Sequence, residues 1–332
     1  MNSGRPVRPV AKILFALLLP ALAISARGAS FVNGSDASWY TQMAAGGIKF
    51  KTTGGVTQPC LQVLQGCGIQ AIRLRVWLNP SGGWCNQTDV VTKTVAAKNL
   101  GLQVLIDFHY SDTWADPGHQ TPPAAWSGHT ISQLYTDVWT ETTNVMTALK
   151  NAGVTPTWVQ IGNETNNGML WPNGQASTHM NQFAGLITSG YNGVKQTFPN
   201  ALVVVHISNG YDDSLFRWMF DGLKANGAKY DVIGMSLYPS TSNWSTLDSE
   251  ALSTMQDMKS RYGKQVMVCE VGMDVNSAST SEAFLKDIIA KTKSVGGLGV
   301  FYWEPEAYNS WQGYTMGAFG TNGEPTVAMS AF

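Results

Sequence analysis

The sequence predicts a single closed (β/α)8 barrel, an α/β fold with eight strand–helix units, and three observations carry that prediction. Short runs rich in β-branched and apolar residues recur eight times along the chain. Helical stretches with apolar residues at three-to-four spacing lie between them. No Pro/Ser linker, composition break or sequence repeat beyond this alternation divides the 332 residues. Strand–helix alternation demands parallel pairing, and eight units in about 300 residues suit a TIM barrel. The alternative is an open doubly wound sheet. It would usually bind a nucleotide through a glycine-rich turn after the first strand, and GSDAS (34–38) is not such a turn.

Residues 1–29 come first and read as an export signal. Arg5, Arg8 and Lys12 precede an apolar run from Ile13 to Ile24, with small residues following at Ser25-Ala26. A membrane anchor is the competing reading, but the run contains Pro20 and falls short of the about 20 residues a spanning helix needs. The remainder, 30–332, is then the barrel, expected to be secreted to the cell exterior. The first strand is weak, at 31–34 (FVNG). Clearer strands follow at 71–77 (AIRLRVW), 104–109 (VLIDFH), 158–164 (WVQIGNE) and 202–207 (LVVVHI). The last three are 231–238 (DVIGMSLY), 266–271 (VMVCEV) and 299–304 (GVFYWE). Helical periodicity marks 131–152, 178–197, 214–226 and 281–294, and Gly101, Gly153, Gly227 and Gly263 read as helix stops.

Composition excludes several classes. A formal charge of −1 advertises no nucleic-acid partner, and 12 Trp, 11 Tyr and 12 Phe supply too much apolar surface for a disordered chain. Cleavage near Ala29 would leave 17 basic against 22 acidic residues. Four cysteines fit an oxidising compartment without making a disulfide scaffold. Cys60 and Cys67 lie in the helical segment CLQVLQGCG, roughly 10 Å apart along two turns, so Cys85 is the better partner for one of them. No zinc spacing occurs. Asn33, Asn86, Asn163 and Asn243 begin N-x-S/T sequons.

In such barrels chemistry gathers where the strands end. Those ends carry Arg73, Arg75 and Trp77; Asp107, His109 and Asp112; Asn163 and Glu164; His206 and Asn209; Tyr238; Glu270; and Trp303 and Glu304. Period-two alternation puts Arg73, Arg75 and Trp77 on one face, with Ile72, Leu74 and Val76 on the other. It turns Cys269 away from Glu270, toward the helical layer, as a buried thiol. Two glutamates on separate strands, Glu164 and Glu270, are what glycoside hydrolysis needs, with retention requiring about 5–5.5 Å between them. The same residues would also suit an Arg–Glu network that only satisfies charge, and spacing alone does not choose. Following loops carry Trp114, Trp126, Trp171, Trp244, Trp311 and Tyr308, several of which would line a cleft and stack on sugar rings. Taken singly, each Trp would more simply pin its own loop.

The chain resembles the endo-β-1,4-galactanases of glycoside hydrolase family 53, within the clan of retaining (β/α)8 hydrolases. The matching segments are RLRVWLNPSGGWCN (73–86), LIDFHYSDTWADPGHQTPPAAW (105–126), WVQIGNETNNGMLWP (158–172), NGYDDSLFRW (209–218), DVIGMSLYPS (231–240), VMVCEVG (266–272) and FYWEPEAY (301–308). The resemblance implies that Glu164 is the acid/base and Glu270 the nucleophile. It implies that Asn163 bonds the 2-hydroxyl of the sugar being cleaved, that Arg75 and Tyr238 hold Glu270, and that His109 and Trp303 line that subsite with Asp112 in contact. Two departures stand out: Ser208 replaces an expected Asp in HISNG, and Ala251 stands near a position where some relatives carry Cys. Some bacterial relatives bind calcium in the last loops, but MDVNSAST (273–280) is short, so no metal and no cofactor are expected. The expected partner is β-1,4-galactan, the expected state a monomer. Two other readings compete: a sister β-1,4-glycanase acting on mannan or glucan, and a barrel that binds glycans without cutting them.

Overall fold

The computed structural model describes residues 1–4 and 30–332, so the charged head, apolar run and cut site of the export signal lie outside the described residues. Eight parallel strands close a barrel: β1 (Val32–Asp36), β2 (Ala71–Val76), β3 (Gln103–Phe108), β4 (Trp158–Ile161), β5 (Leu202–Ile207), β6 (Val232–Leu237), β7 (Gln265–Val271) and β8 (Gly299–Tyr302). Closure is made by β1 against β8, with Val32 level with Gly299. Two helices follow β1, namely α1 (Tyr40–Ala45) and α2 (Cys60–Gly66), with a small antiparallel pair, Phe50–Lys51 and Thr57–Gln58, between them. Then come α3 (Gln87–Asn99), α4 (Ile131–Asn151), α5 (Ala176–Thr197), α6 (Asp213–Ala225), α7 (Trp244–Tyr262) and α8 (Ala278–Ser294). A 3-10 turn, Val327–Ala331, packs on α8. No described helix is long and apolar enough to cross a membrane.

The strand alternation works as the pattern requires. Ile72, Leu74 and Val76 of β2 join the core between barrel and helices, while Arg73 and Arg75 point inward. Each fully buried aliphatic side chain contributes about 1.5–3 kcal/mol, so the outward set stabilises the barrel while the inward set is free to be polar. Gly34 sits beside Phe301, and a Cβ there would lie 2.3 Å from the ring, so only glycine admits that ring. Phe301 meets Trp158 edge-on at 6.2 Å. Helix α4 starts with a capping box between Thr130 and Gln133, and buries Leu134, Val138, Val145, Met146 and Leu149 at helical spacing. The four glycine stops all have positive φ, from 63° at Gly263 to 73° at Gly101.

Three expectations are corrected. The strand read at 158–164 ends at Ile161, because Gly162 (φ 81°) and Glu164 (φ 43°) take left-handed backbone that no strand admits. All four cysteines are free: Cys85 Sγ lies 3.7 Å from the Ser38 carbonyl oxygen, so it is held under the barrel mouth rather than bonded to Cys60 or Cys67. Cys269 does not face the helical layer. Strand β7 carries one extra residue relative to both neighbours: Met235 and Ser236 of β6 pair with Val268 and Glu270. Val300 and Tyr302 of β8 likewise pair with Val268 and Val271. This bulge breaks the period of two, and a Cβ at Gly234 would lie 2.6 Å from Cys269 Sγ and 2.8 Å from Val204.

Candidate active site

Arg73 organises the centre of the barrel. Nη1 meets Asp36 Oδ2 at 2.8 Å, and Nη2 lies 2.8 Å from both Asp107 Oδ2 and Glu270 Oε1. The guanidinium also donates to Gln160 Oε1 at 3.2 Å and Asn163 Oδ1 at 2.8 Å. Asp36 comes from β1 at the level of Arg73, and Asp107 from β3 one inward position higher, so strand tilt brings both carboxylates to one fork. Although burial works against its charge, Arg73 and His109 hold Asp107 below the usual carboxylate range. A buried cation surrounded by carboxylates stays charged.

Glu270 stands one residue before the end of β7, and its two oxygens are separately engaged: Oε1 by Arg73 and Oε2 by the Tyr238 hydroxyl, which donates at 2.8 Å. Burial pushes its carboxyl up; Arg73 draws it down, Glu164 raises it, and Tyr238 draws it down. Glu164 stands across the same cavity. Burial likewise raises it, against the hydrogen bond from Ser236 and the charge of Arg73, while Asp116 and Asp107 push it further up. Among the described residues no cation pairs with Glu164. His206 supports this side: its Nε2 lies 2.7 Å from Ser236 Oγ, and its Nδ1 accepts from the Glu164 backbone N–H at 3.4 Å. Burial and Arg73 hold His206 well below the ordinary imidazole value, so it is neutral.

Six of the eight sequence-predicted site residues, Glu164, Glu270, Asn163, His109, Tyr238 and Trp303, line one cavity of about 610 Å³. Asn163 accepts from Arg73 and Gln160 through Oδ1 and gives one Nδ2 hydrogen to the Ala115 carbonyl, which leaves the other hydrogen for a ligand. His109 has both ring nitrogens committed, Nε2 to Asp107 and Nδ1 to Trp77 Nε1 and the Ala115 N–H, so it presents only its ring edge. The other two are corrected. Arg75 does not touch Glu270: it pairs with Glu304, and Arg73, one inward position deeper, takes the place expected of it. Asp112 is a loop staple, accepting from the Asn79 and Ala124 backbone N–H groups at 2.9 and 2.8 Å.

The aromatic expectation is also revised. Among the six loop aromatics named above, only Trp114 lines the cavity. Trp126 is buried beside Tyr110, Trp171 Nε1 donates to the Asn167 carbonyl, and the Tyr308 hydroxyl donates to the Lys49 carbonyl, so each pins its own loop. The aromatic wall is built instead by Trp39, Trp77, Trp84, Trp114, Trp303 and Tyr314, from the β1, β2, β3 and β8 ends. Trp39 sits in a loop whose sequence carries no chemical signature, and Trp84 lies in the matching segment 73–86 without a role implied for it. Gln120, also unmarked in sequence, donates from one Nε2 to the Asp116 and Asn163 carbonyls and so ties the loop after β3 to the end of β4. Among the described residues, no three His, Cys, Asp or Glu side chains converge as a metal ion requires.

The chain as a whole has relatives in sequence and in fold. A probable arabinogalactan endo-β-1,4-galactanase A of Neosartorya fischeri is 35% identical over 317 residues, 88% of each chain. Arabinogalactan endo-β-1,4-galactanase A of Emericella nidulans is 33% identical, covering 88% of this chain and 90% of that one. A solved fungal β-1,4-galactanase superposes with a TM-score of 0.85 at 30% identity, over 92% of this chain and 99% of that one. The sequence profile of glycosyl hydrolase family 53 matches residues 32–332. On the strength of that match and the breadth of the similarity, the chain belongs to glycosyl hydrolase family 53.

Proposed function

We propose that this chain is a secreted, endo-acting arabinogalactan β-1,4-galactanase that cuts the galactan side chains of pectin with retention of configuration. The single observation that carries the mechanism is the unequal surroundings of the two cavity carboxyls. Glu270 has a guanidinium on one oxygen and a phenol on the other, both of which favour its ionised form. Glu164 has a hydroxyl and no cation in contact, only the more distant charge of Arg73, in a place where a second charge would meet the first. The proton therefore rests on Glu164, and Glu270 is free to attack. The family and the activity named for the relatives support the substrate, and residues 1–29 support export. The mature enzyme then spans 30–332.

The steps balance. The Glu270 carboxylate bonds to the anomeric carbon as the bond to the leaving oxygen breaks, and that oxygen takes the proton of Glu164. A galactosyl ester on Glu270 results. Glu164, now ionised, removes a proton from water as the water attacks the same carbon, which frees Glu270 and returns the proton to Glu164. Asn163 holds the 2-hydroxyl through its free Nδ2 hydrogen, and Trp303 underlies the ring. The test is reducing-sugar release with product sizing on linear β-1,4-galactan, β-1,4-mannan and β-1,4-glucan. Short galacto-oligosaccharides from galactan alone are expected, with Glu270→Gln and Glu164→Gln each folding normally and losing at least roughly 10³-fold in turnover. Cleavage of mannan or glucan would overturn the substrate, and wild-type activity in either variant would overturn the residue roles.

A further inference from the structure

We propose that the Arg75–Glu304 ion pair is a positioning device for the aromatic wall of the cleft, governing how sugar is held rather than how the bond is cut. The proposal rests on reading this cleft as a galactan site. Neither residue lines the cavity, and both are buried. Arg75 Nη1 meets Glu304 Oε1 at 2.5 Å, while Nε and Nη2 find no hydrogen-bond acceptor among the described residues. Indoles take their place. Cζ lies 4.4 Å from the centre of the Trp114 ring and 5.1 Å from those of Trp39 and Trp77. A guanidinium shielded from water and set against three π systems is held by them and holds them in turn.

Glu304 extends the device to the backbone. Its Oε2 accepts the Trp39 N–H at 3.1 Å, and its own N–H donates to the Asp36 carbonyl at 3.1 Å while its φ is 45°. One carboxylate therefore fixes both the cation and the chain that carries Trp39. From there the contacts run into the cavity: Trp303 lies edge-on to Trp39 at 5.1 Å and tilted to Trp114 at 5.9 Å. Behind Glu304 sits Glu306, fully buried, with neither oxygen receiving a hydrogen bond from any donor among the described residues. Burial and the charge of Glu304 raise the Glu306 carboxyl well above its ordinary range, which disfavours a second charge behind the ion pair.

A buried ion pair serving stability alone would change the folded fraction and leave the binding of folded molecules untouched. The two roles separate in Arg75→Met, assayed for KM and kcat on galactan and, combined with Glu270→Gln, for Kd with galactotetraose by calorimetry. The expected result is KM and Kd raised by about tenfold, kcat changed by less than about threefold, and an altered near-UV dichroism of the tryptophans. The double variant Arg75→Met/Glu304→Gln leaves no unpaired buried charge, so it folds even where the single variant does not. The same rise in KM is expected there. Unchanged KM and Kd in either folded variant overturns the proposal, as does a loss confined to kcat. If the wild-type fold with Glu270→Gln binds no galactotetraose, the galactan reading itself falls.

Discussion

Arg73 and Arg75 stand two residues apart on one face of β2, both about 1% exposed, yet one is ringed by carboxylates and the other by indoles. Depth in the barrel makes the difference. At the lower level the neighbours are strand side chains, and β1, β3 and β7 supply Asp36, Asp107 and Glu270. At the upper level the neighbours come from loops and strand ends: one carboxylate, Glu304, and around the rest of the guanidinium Trp39, Trp77 and Trp114. A cation removed from water needs compensation in either place. Compensation by carboxylates tunes ionisation and so bears on chemistry. Compensation by rings fixes surfaces and so bears on binding. The same residue type, on the same face of the same strand, is assigned two functions by what its neighbours can offer.

The contrast is broken most severely at Arg73. Lysine keeps the charge but cannot fork across three carboxylates. Arg73→Lys is expected to lower kcat by at least about 10²-fold, well beyond any rise in KM, and to lower the melting temperature. Initial rates and thermal melts on the same preparation check this, and wild-type kcat would show that Glu270 needs no such partner. The Arg75 variants come next, with their roughly tenfold effect on KM and little on kcat.

The smallest effect sharpens the comparison from the other side, with a buried acid that has no arginine. Asp248 of α7 is fully buried, and neither of its oxygens receives a hydrogen bond from any donor among the described residues. Burial first, then its hydrogen bond to Asp287, pushes its carboxyl up to about 8. The unfolded group ionises near about 3.9. Its stabilising contribution is therefore fully present below about 4 and is lost as pH rises to about 8, because unfolding then releases a proton. Asp248→Asn should melt with the wild type near pH 4 and at least about 2 °C above it at pH 8. A lower melting point at pH 8 would mean that Asp248 is ionised in the folded protein.

The barrel was legible because β-branched runs and helix-stopping glycines are local signals. Glu164 and Glu270 were legible as cavity residues because each lies at the C-terminal end of such a run, while their roles came from the family resemblance. What failed depended on relations between strands. Arg75 is level with Asp107 in the β2–β3 register, yet Asp107 bonds Arg73, and only the tilt of a closed barrel shows why. Cys269 was turned the wrong way because one extra residue in β7 reverses the alternation, and nothing in VMVCEV marks a bulge. The family resemblance implies Asp112 as a sugar contact, while its oxygens are taken by two backbone N–H groups. Trp39 lies three residues beyond β1 in a loop of ordinary composition, so its contact with Trp303 becomes visible only when β1 closes on β8.

The most direct test of the two-glutamate account is the configuration of the reducing end as it forms. Linear β-1,4-galactan would be cleaved in the NMR tube, with Glu270→Gln as the blank, and the anomeric signals followed before mutarotation equalises them. Attack by Glu270 followed by water inverts twice, so the β-anomer is expected first. An initial α-anomer would mean that water attacks directly, and that Glu270 is not the nucleophile.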